Sequence, residues 1–181
     1  MKKTLFISLT GLLLSGCAGT YIDKNTVPNW TDESVIVFGA PANYHFLMSS
    51  GSLEDGQFIR NWVVAKNTVA AFSQNGFTLN KIKAPDTLAL TVASAWSGRG
   101  QEIFTPCGSQ KAPAFHVPAG KVLYFTHFDF RISGKRLVTD YSQHFEQAKA
   151  YVESAYPHLK GRLEQGQFEL VPINRACEYN Q

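Results

Sequence analysis

The chain has 181 residues and a formal net charge of +3, with 17% charged and 13% aromatic residues. Two of the positive charges, Lys2 and Lys3, stand at the N-terminus, so the rest of the chain is nearly neutral. An aromatic-rich chain with few charges is typical of one compact domain and argues against extensive disorder or a nucleic-acid partner.

The N-terminus has the pattern of a cleavable export signal. Two lysines precede an apolar run over residues 5–14, which is about half the length of a membrane-spanning helix. Small residues then precede Cys17. A basic start, a short apolar run and small residues together predict a signal peptide over residues 1–16 rather than a permanent membrane span.

The stretch Leu14-Ser15-Gly16-Cys17 resembles the lipobox of bacterial lipoproteins that signal peptidase II processes. The resemblance implies that Cys17 receives a diacylglycerol on its sulfur, that cleavage follows Gly16, and that the new amino group is acylated. With Ala18 next, the signal is similar to those of lipoproteins sorted to the outer membrane. We therefore expect a stable lipid anchor on the periplasmic face of that membrane. The alternative is an ordinary secretory signal in which Cys17 is incidental.

Residues 17–33 are predicted to form the lipidated cysteine and a tether, because their polar and turn-forming residues follow no apolar period. The alternative is that Tyr21, Ile22 and Trp30 pack on the domain instead. Residues 34–181 are long enough for one domain with a real core, and we predict a single one.

Short β-rich runs separated by turn residues fill the chain from residue 34 onward. This pattern predicts a mainly β domain, an antiparallel β-sandwich with one C-terminal amphipathic α-helix. The predicted strands cover residues 35–39, 44–49, 58–66, 77–83, 88–96, 114–117, 121–132 and 167–172.

Two of these strands indicate which way their side chains point. Residues 34–38 are almost continuously apolar, so this strand is expected to be central and covered on both faces. In the later strand, Leu88, Leu90 and Val92 alternate with small or polar residues, so all three are expected to point into the core.

Residues 115–125 predict two strands joined by a tight hairpin, since Pro118 fixes one backbone angle and Gly120 permits a positive one. The phrase Phe-x-Val-Pro-Ala-Gly-Lys-x-x-Tyr in this segment, together with residues 148–152 and 156–161, resembles a pattern in small, uncharacterised envelope lipoproteins with a β-sandwich domain. The resemblance implies a fold and a location, not an activity.

One amphipathic helix is predicted at about residues 141–156. Asp140 is the expected cap, with Gln143 three residues later, and apolar residues then recur at helical spacing. Pro157 follows Tyr156, which disfavours further helix.

With Cys17 assigned to lipid, Cys107 and Cys177 remain as a pair in an oxidising compartment, which predicts a disulfide. The alternative is two separately buried thiols. A zinc site is disfavoured because His116, the nearest histidine, lies outside the usual ligand spacing.

The residues that could carry chemistry are few. His127 and Asp129 alternate on one predicted strand, so both side chains face the same way and could form a hydrogen-bonded pair or two ligands of a site. The alternative is a solvent-facing polar row.

Arg99, in the predicted turn at residues 97–100, could meet a carboxylate or phosphate, or simply be solvated. No compact histidine pair, nucleophile elbow or phosphate-binding loop is present in the sequence, so no catalytic residue, metal or cofactor is predicted.

Aromatic residues crowd the segment around the predicted hairpin: Phe115, Tyr124, Phe125, Phe128 and Phe130. The favoured interpretation is a sandwich core plus a helix-covered face. The alternative is an exposed patch or a slot for a lipophilic ligand or a protein partner.

These observations predict a lipid-anchored envelope lipoprotein with a binding or structural role in the periplasm and an envelope protein as its partner. A small enzyme acting on cell-wall or lipid substrates through His127 and Asp129 is one alternative. An immunity-type lipoprotein that inhibits a toxin is another.

Overall fold

The computed structural model describes residues 22–61, 67–73, 75–97, 100–134 and 136–177. The predicted mainly β class is confirmed, with two packed sheets and one α-helix. The strands are β1 (Glu33–Gly39), β2 (Tyr44–Glu54), β3 (Gln57–Arg60), β4 (Thr68–Phe72), β5 (Phe77–Lys83), β6 (Asp86–Ser97), β7 (Gly100–Phe104), β8 (Lys111–Val117), β9 (Val122–Ser133), β10 (Arg136–Ser142), β11 (Leu163–Gln165) and β12 (Phe168–Pro172). Helix α1 spans Phe145–Ala155, and a 3-10 turn spans Pro157–Leu159.

The first sheet has the strand order β10-β9-β1-β5, with β11 also paired to β9. Strand β9 runs parallel to β1 and to β11, whereas the other pairs are antiparallel. The second sheet has the order β12-β8-β6-β2-β3, with β4 on β2 and β7 on β6, and all of its pairs are antiparallel. The predicted antiparallel pairing therefore describes the second sheet and only part of the first.

The hairpin predicted around Pro118 and Gly120 is wrong. The two strands that flank this turn belong to different sheets, because β8 pairs with β6 and β12 while β9 pairs with β1, β10 and β11. Gly120 does adopt a positive φ of 79°, and its N–H donates to the Glu33 carbonyl (3.0 Å). The predicted positive φ at Gly120 is confirmed, but a tight turn does not require that its two strands pair.

Strand β1 lies in the middle of the first sheet and is buried along its whole length, which confirms the prediction of a central strand covered on both faces. Ile36 and Phe38 point to the second sheet, and Val35 and Val37 point to the layer that contains α1. The continuous apolar run therefore serves two separate cores.

The core between the sheets is aromatic. The ring of Phe38 lies 5.0 Å from that of Phe115 and 5.5 Å from those of Phe125 and Phe128, and Phe46 completes the group at 6.1 Å. The predicted aromatic segment, including Tyr124 and Phe130, is buried, as the favoured interpretation expected. Aromatic packing of this kind dominates the energy of the inter-sheet core.

Helix α1 begins later than predicted. Asp140 lies in β10, opposite Asp129, so it does not cap the helix. His144 occupies the N-cap position without a side-chain cap hydrogen bond. The stripe of Ala148 and Val152 is nonetheless buried on the first sheet, as the helical spacing indicated.

Part of the predicted tether packs on the same layer as α1. Ile22 is fully buried there, Trp30 packs against the cluster, and the Arg162 guanidinium lies 3.7 Å from the centre of the Trp30 ring. Ile22 and Trp30 therefore pack on the domain, as the alternative prediction for these residues states. Residues 1–21, with the predicted signal peptide, Cys17 and Tyr21, lie outside the described residues, as do residues 62–66 of the third predicted strand. Across the described part of the chain, no helix has the length and hydropathy of a membrane span.

Candidate functional site

His127 and Asp129 lie on the same face of β9, as the alternation predicts, with Nε2 of His127 3.9 Å from Oδ1 of Asp129. Strand β9 has a bulge opposite residues Val37 to Gly39 of β1, and this bulge determines the face of the sheet on which His127 and Asp129 lie. Both side chains point away from the second sheet and toward the start of α1, where the His144 ring lies 4.9 Å from that of His127.

This group does not have the serine–histidine contact of a catalytic triad. The Ser142 hydroxyl donates to Oδ2 of Asp129 (2.6 Å), so the serine contacts the carboxylate and not the imidazole. Burial lowers the pKa of His127, and His144 lowers it further against the opposing effect of Asp129. In a serine–histidine pair the hydroxyl donates to the imidazole, and this contact is not present here. Across the described residues, no three His, Cys, Asp or Glu side chains form a group that could hold a metal ion.

Of the remaining predicted site residues, Cys107 and Cys177 form a disulfide that joins the β7–β8 loop to the C-terminal segment. The Gly108 N–H donates to the Arg175 carbonyl (2.8 Å) beside it. The disulfide and this hydrogen bond hold the loop in place. Arg99 lies outside the described residues, although Ser97 and Gly100 pair on β6 and β7 as the predicted turn requires.

A cleft of about 500 Å³ opens between the two sheets on the side of β10. We call it the inter-sheet cleft. It is lined by Leu90, Ala93, Ile103, Phe104, Thr105, Pro106, Cys107, Gln110, Lys111, Ala112, Pro113, Arg136, Leu137, Thr139 and Tyr141. Its floor consists of core residues, of which Leu90, Ala93 and Ala112 are at most 4% exposed. A volume in this range and an apolar floor are typical of small-molecule sites.

Small side chains form part of the cleft floor. Ala93 and Ala112 face this side, whereas phenylalanines such as Phe38 and Phe128 close the centre.

The mouth of the cleft is polar and positively charged. Lys111 and Arg136 are both exposed, and no Asp or Glu is among the lining residues. In the described part of the chain, neither cation forms an ion pair. Burial, and then the neighbouring Asp140, raises the pKa of Tyr141 to about 12, so its hydroxyl stays protonated at neutral pH.

The outer side of the second sheet carries a second feature, which we call the outer apolar face: His45, Leu47, Ala70, Phe72, Val92, Trp96 and Ile103. Phe72, Trp96 and Ile103 are more than half exposed. Val92 lies here and not in the core, so the prediction that it shares a face with Leu88 and Leu90 is wrong. An extra residue in β6, Thr91, makes a bulge opposite β2 and reverses the alternation.

The sequence predicts neither the inter-sheet cleft nor the outer apolar face. The residues of the cleft come from four strands and one loop and carry no local motif. No protein-family model, curated protein or solved structure matches this chain.

Proposed function

We propose that this protein is a lipid-anchored envelope lipoprotein that binds another envelope component on the periplasmic side of the outer membrane. The anchor is inferred from the lipobox-like stretch that ends at Cys17. The Cys107–Cys177 disulfide agrees with an oxidising compartment. We also infer that the two sheets form a β-sandwich, which the shared aromatic core between them supports.

The observation that carries the binding role is the inter-sheet cleft. The cleft combines an apolar floor with polar and charged side chains, and a preformed concave surface of this kind has the form of a ligand site. The arrangement of His127, Asp129 and Ser142 supports binding over catalysis, because the hydroxyl is bonded to the carboxylate. Inhibition of a toxin is the alternative that the outer apolar face would serve, since exposed apolar surface of this kind suits protein contacts.

The anchor is tested by cell fractionation. We expect the wild-type protein in the outer-membrane fraction and Cys17→Ala in the soluble periplasmic fraction, because loss of the acyl chains removes the membrane affinity. Cys107→Ala serves as the control and should stay in the membrane fraction. Membrane retention of Cys17→Ala after carbonate washing would contradict the anchor.

The binding role is tested by photo-crosslinking in intact cells. A photoreactive side chain at Thr139, inside the cleft, is expected to capture an envelope component. The matched control is Ser154, an exposed position on α1 far from the cleft lining. Equal labelling from the two positions would count against a site in the cleft.

A further inference from the structure

We propose that the inter-sheet cleft binds an amphiphilic anion, a single acyl chain with a carboxylate or phosphate headgroup, with its chain on the core floor and its headgroup at Arg136 and Lys111. This inference rests on the proposed binding role and names the class of its ligand.

The floor of the cleft suits an acyl chain. Leu90, Ala93 and Ala112 form its base and Leu137 lies in its wall, so these four side chains give an acyl chain an apolar surface to pack on. Each methylene that leaves water for such a surface contributes about 0.8 kcal/mol. An acyl chain in the cleft also makes van der Waals contacts with the floor that the short alanine side chains do not make with each other.

The mouth suits an anion. Arg136 begins β10 and Lys111 begins β8, so the two cations stand on opposite sheets across the opening. Both lack an ionic partner in the described part of the chain. A guanidinium binds carboxylate or phosphate oxygens through two parallel hydrogen bonds, and an ammonium adds a point charge.

Tyr141 supplies a neutral donor between floor and mouth. Its ring packs on Phe128 and Phe168, with centroid distances of 6.1 and 5.1 Å, which holds the side chain in the cleft wall. Its hydroxyl makes no hydrogen bond within the described residues. The adjacent Asp140 is engaged by Arg131 at 3.3 Å, outside the cleft lining.

The test uses the full chain with Cys17→Ala, which removes the acylation position and leaves every lining residue unchanged. Calorimetric titration with decanoate, decyl phosphate and the neutral decanol compares three headgroups on one chain. We expect both anions to bind at least about tenfold more tightly than decanol. Tighter binding of decanoate would indicate a fatty acid as the source of the ligand, and tighter binding of decyl phosphate a phospholipid-derived one.

Two variants test the two ends of the cleft. Arg136→Glu should lower the affinity for both anions at least about tenfold and leave decanol binding unchanged. Lys160→Glu, a charge reversal at an exposed cation after α1 and outside the cleft lining, is the matched control and should bind like the parent. Ala93→Leu should weaken all three ligands by filling the floor.

Equal affinity for decanol and decanoate, or unchanged anion binding by Arg136→Glu, would overturn the proposal. Arg136 is exposed, so its substitution is not expected to disturb the fold. The comparison with Arg136→Glu therefore tests the proposal even if Ala93→Leu fails to fold. The photo-crosslinking at Thr139 and the fractionation of Cys17→Ala are decided independently of these titrations. Failure of the ligand class is therefore distinguishable from failure of the binding role and from failure of the anchor.

Discussion

Gly39 and His127 lie against each other where β1 meets β9 in register. A Cβ added to Gly39 would lie 1.9 Å from Nδ1 of His127, so no other side chain fits while the imidazole keeps its position. Here the need for glycine comes from the close approach of a side chain and not from an unusual backbone angle.

We expect Gly39→Ala to lower the free energy of unfolding by about 1–3 kcal/mol, because the new methyl group overpacks a buried contact. Urea denaturation followed by circular dichroism measures this change. His127→Ala opens the space, so the same substitution should cost less in that background. An identical cost in both backgrounds would show that the imidazole is not the obstacle.

Glu33 is a buried carboxylate with one hydrogen-bond donor and two ammonium groups around it. It accepts a hydrogen bond from the Asn29 N–H (2.8 Å) and lies 3.2 and 3.3 Å from the ammonium groups of Lys81 and Lys83. Burial raises the pKa of Glu33, but these three partners together outweigh burial and bring that pKa below its ordinary value of 4.5.

Because the pKa of Glu33 is lower in the folded than in the unfolded protein, the ionised carboxylate stabilises the fold at pH values above its unfolded-state pKa. This stabilisation is lost as the pH falls through the folded-state pKa of Glu33. We therefore expect Glu33→Gln to be less stable than the wild type by about 1–2 kcal/mol at pH 7. The difference should shrink as pH falls below 4.5. Thermal denaturation across this range measures it.

The matched control for Glu33→Gln is Glu164→Gln, which breaks an exposed ion pair with Lys121. Exposed pairs contribute less than about 1 kcal/mol, so this variant should change little at any pH. If the two variants follow the same pH dependence, the partners of Glu33 are not the cause.

At the scale of elements, the disulfide joins the loop before β8 to the segment after β12, next to the antiparallel pairing of these two strands. Cys107 lies in the loop after β7, Cys177 lies after β12, and the two are 70 residues apart in the chain. The cross-link therefore restricts the unfolded chain strongly and positions the loop that forms one wall of the cleft.

Replacing both cysteines by alanine should lower the free energy of unfolding by about 4 kcal/mol, as expected from the entropy of a loop of this length. Chemical denaturation with and without dithiothreitol measures the effect. Reductant should destabilise the wild type by a similar amount and leave the double variant unchanged. A reductant effect on the double variant would refute the explanation.

Several elements were predictable because their signals are local. The buried strand β1, strand β5 and the stripe of α1 follow directly from runs and periods of apolar residues. The β2–β3 hairpin is not among the predicted elements, although its Asp55-Gly56 sequence favours the positive φ that both residues adopt. Strand β10 is not among them either, because Asp140 near its end also fits the cap of a helix.

At the scale of the whole molecule, three layers explain where the two candidate surfaces lie. Helix α1 covers one face of the first sheet, and the second sheet covers the other. The outer side of the second sheet has no such cover among the described residues, which leaves Phe72, Trp96 and Ile103 exposed. The gap beside β10, where the two sheets part, is the inter-sheet cleft.

The sequence by itself determined what neighbouring residues decide: the mainly β class, the doubly covered β1, the shared face of His127 and Asp129, and the residues of the disulfide. Only the tertiary structure decided which strands pair, where the bulge at Thr91 turns Val92 outward, and that Leu90, Lys111 and Arg136 meet at one cleft. The physical reason is that apolar period and turn chemistry act over a few residues. Strand pairing and packing join residues far apart in the chain, whose fit depends on the shape of the whole core.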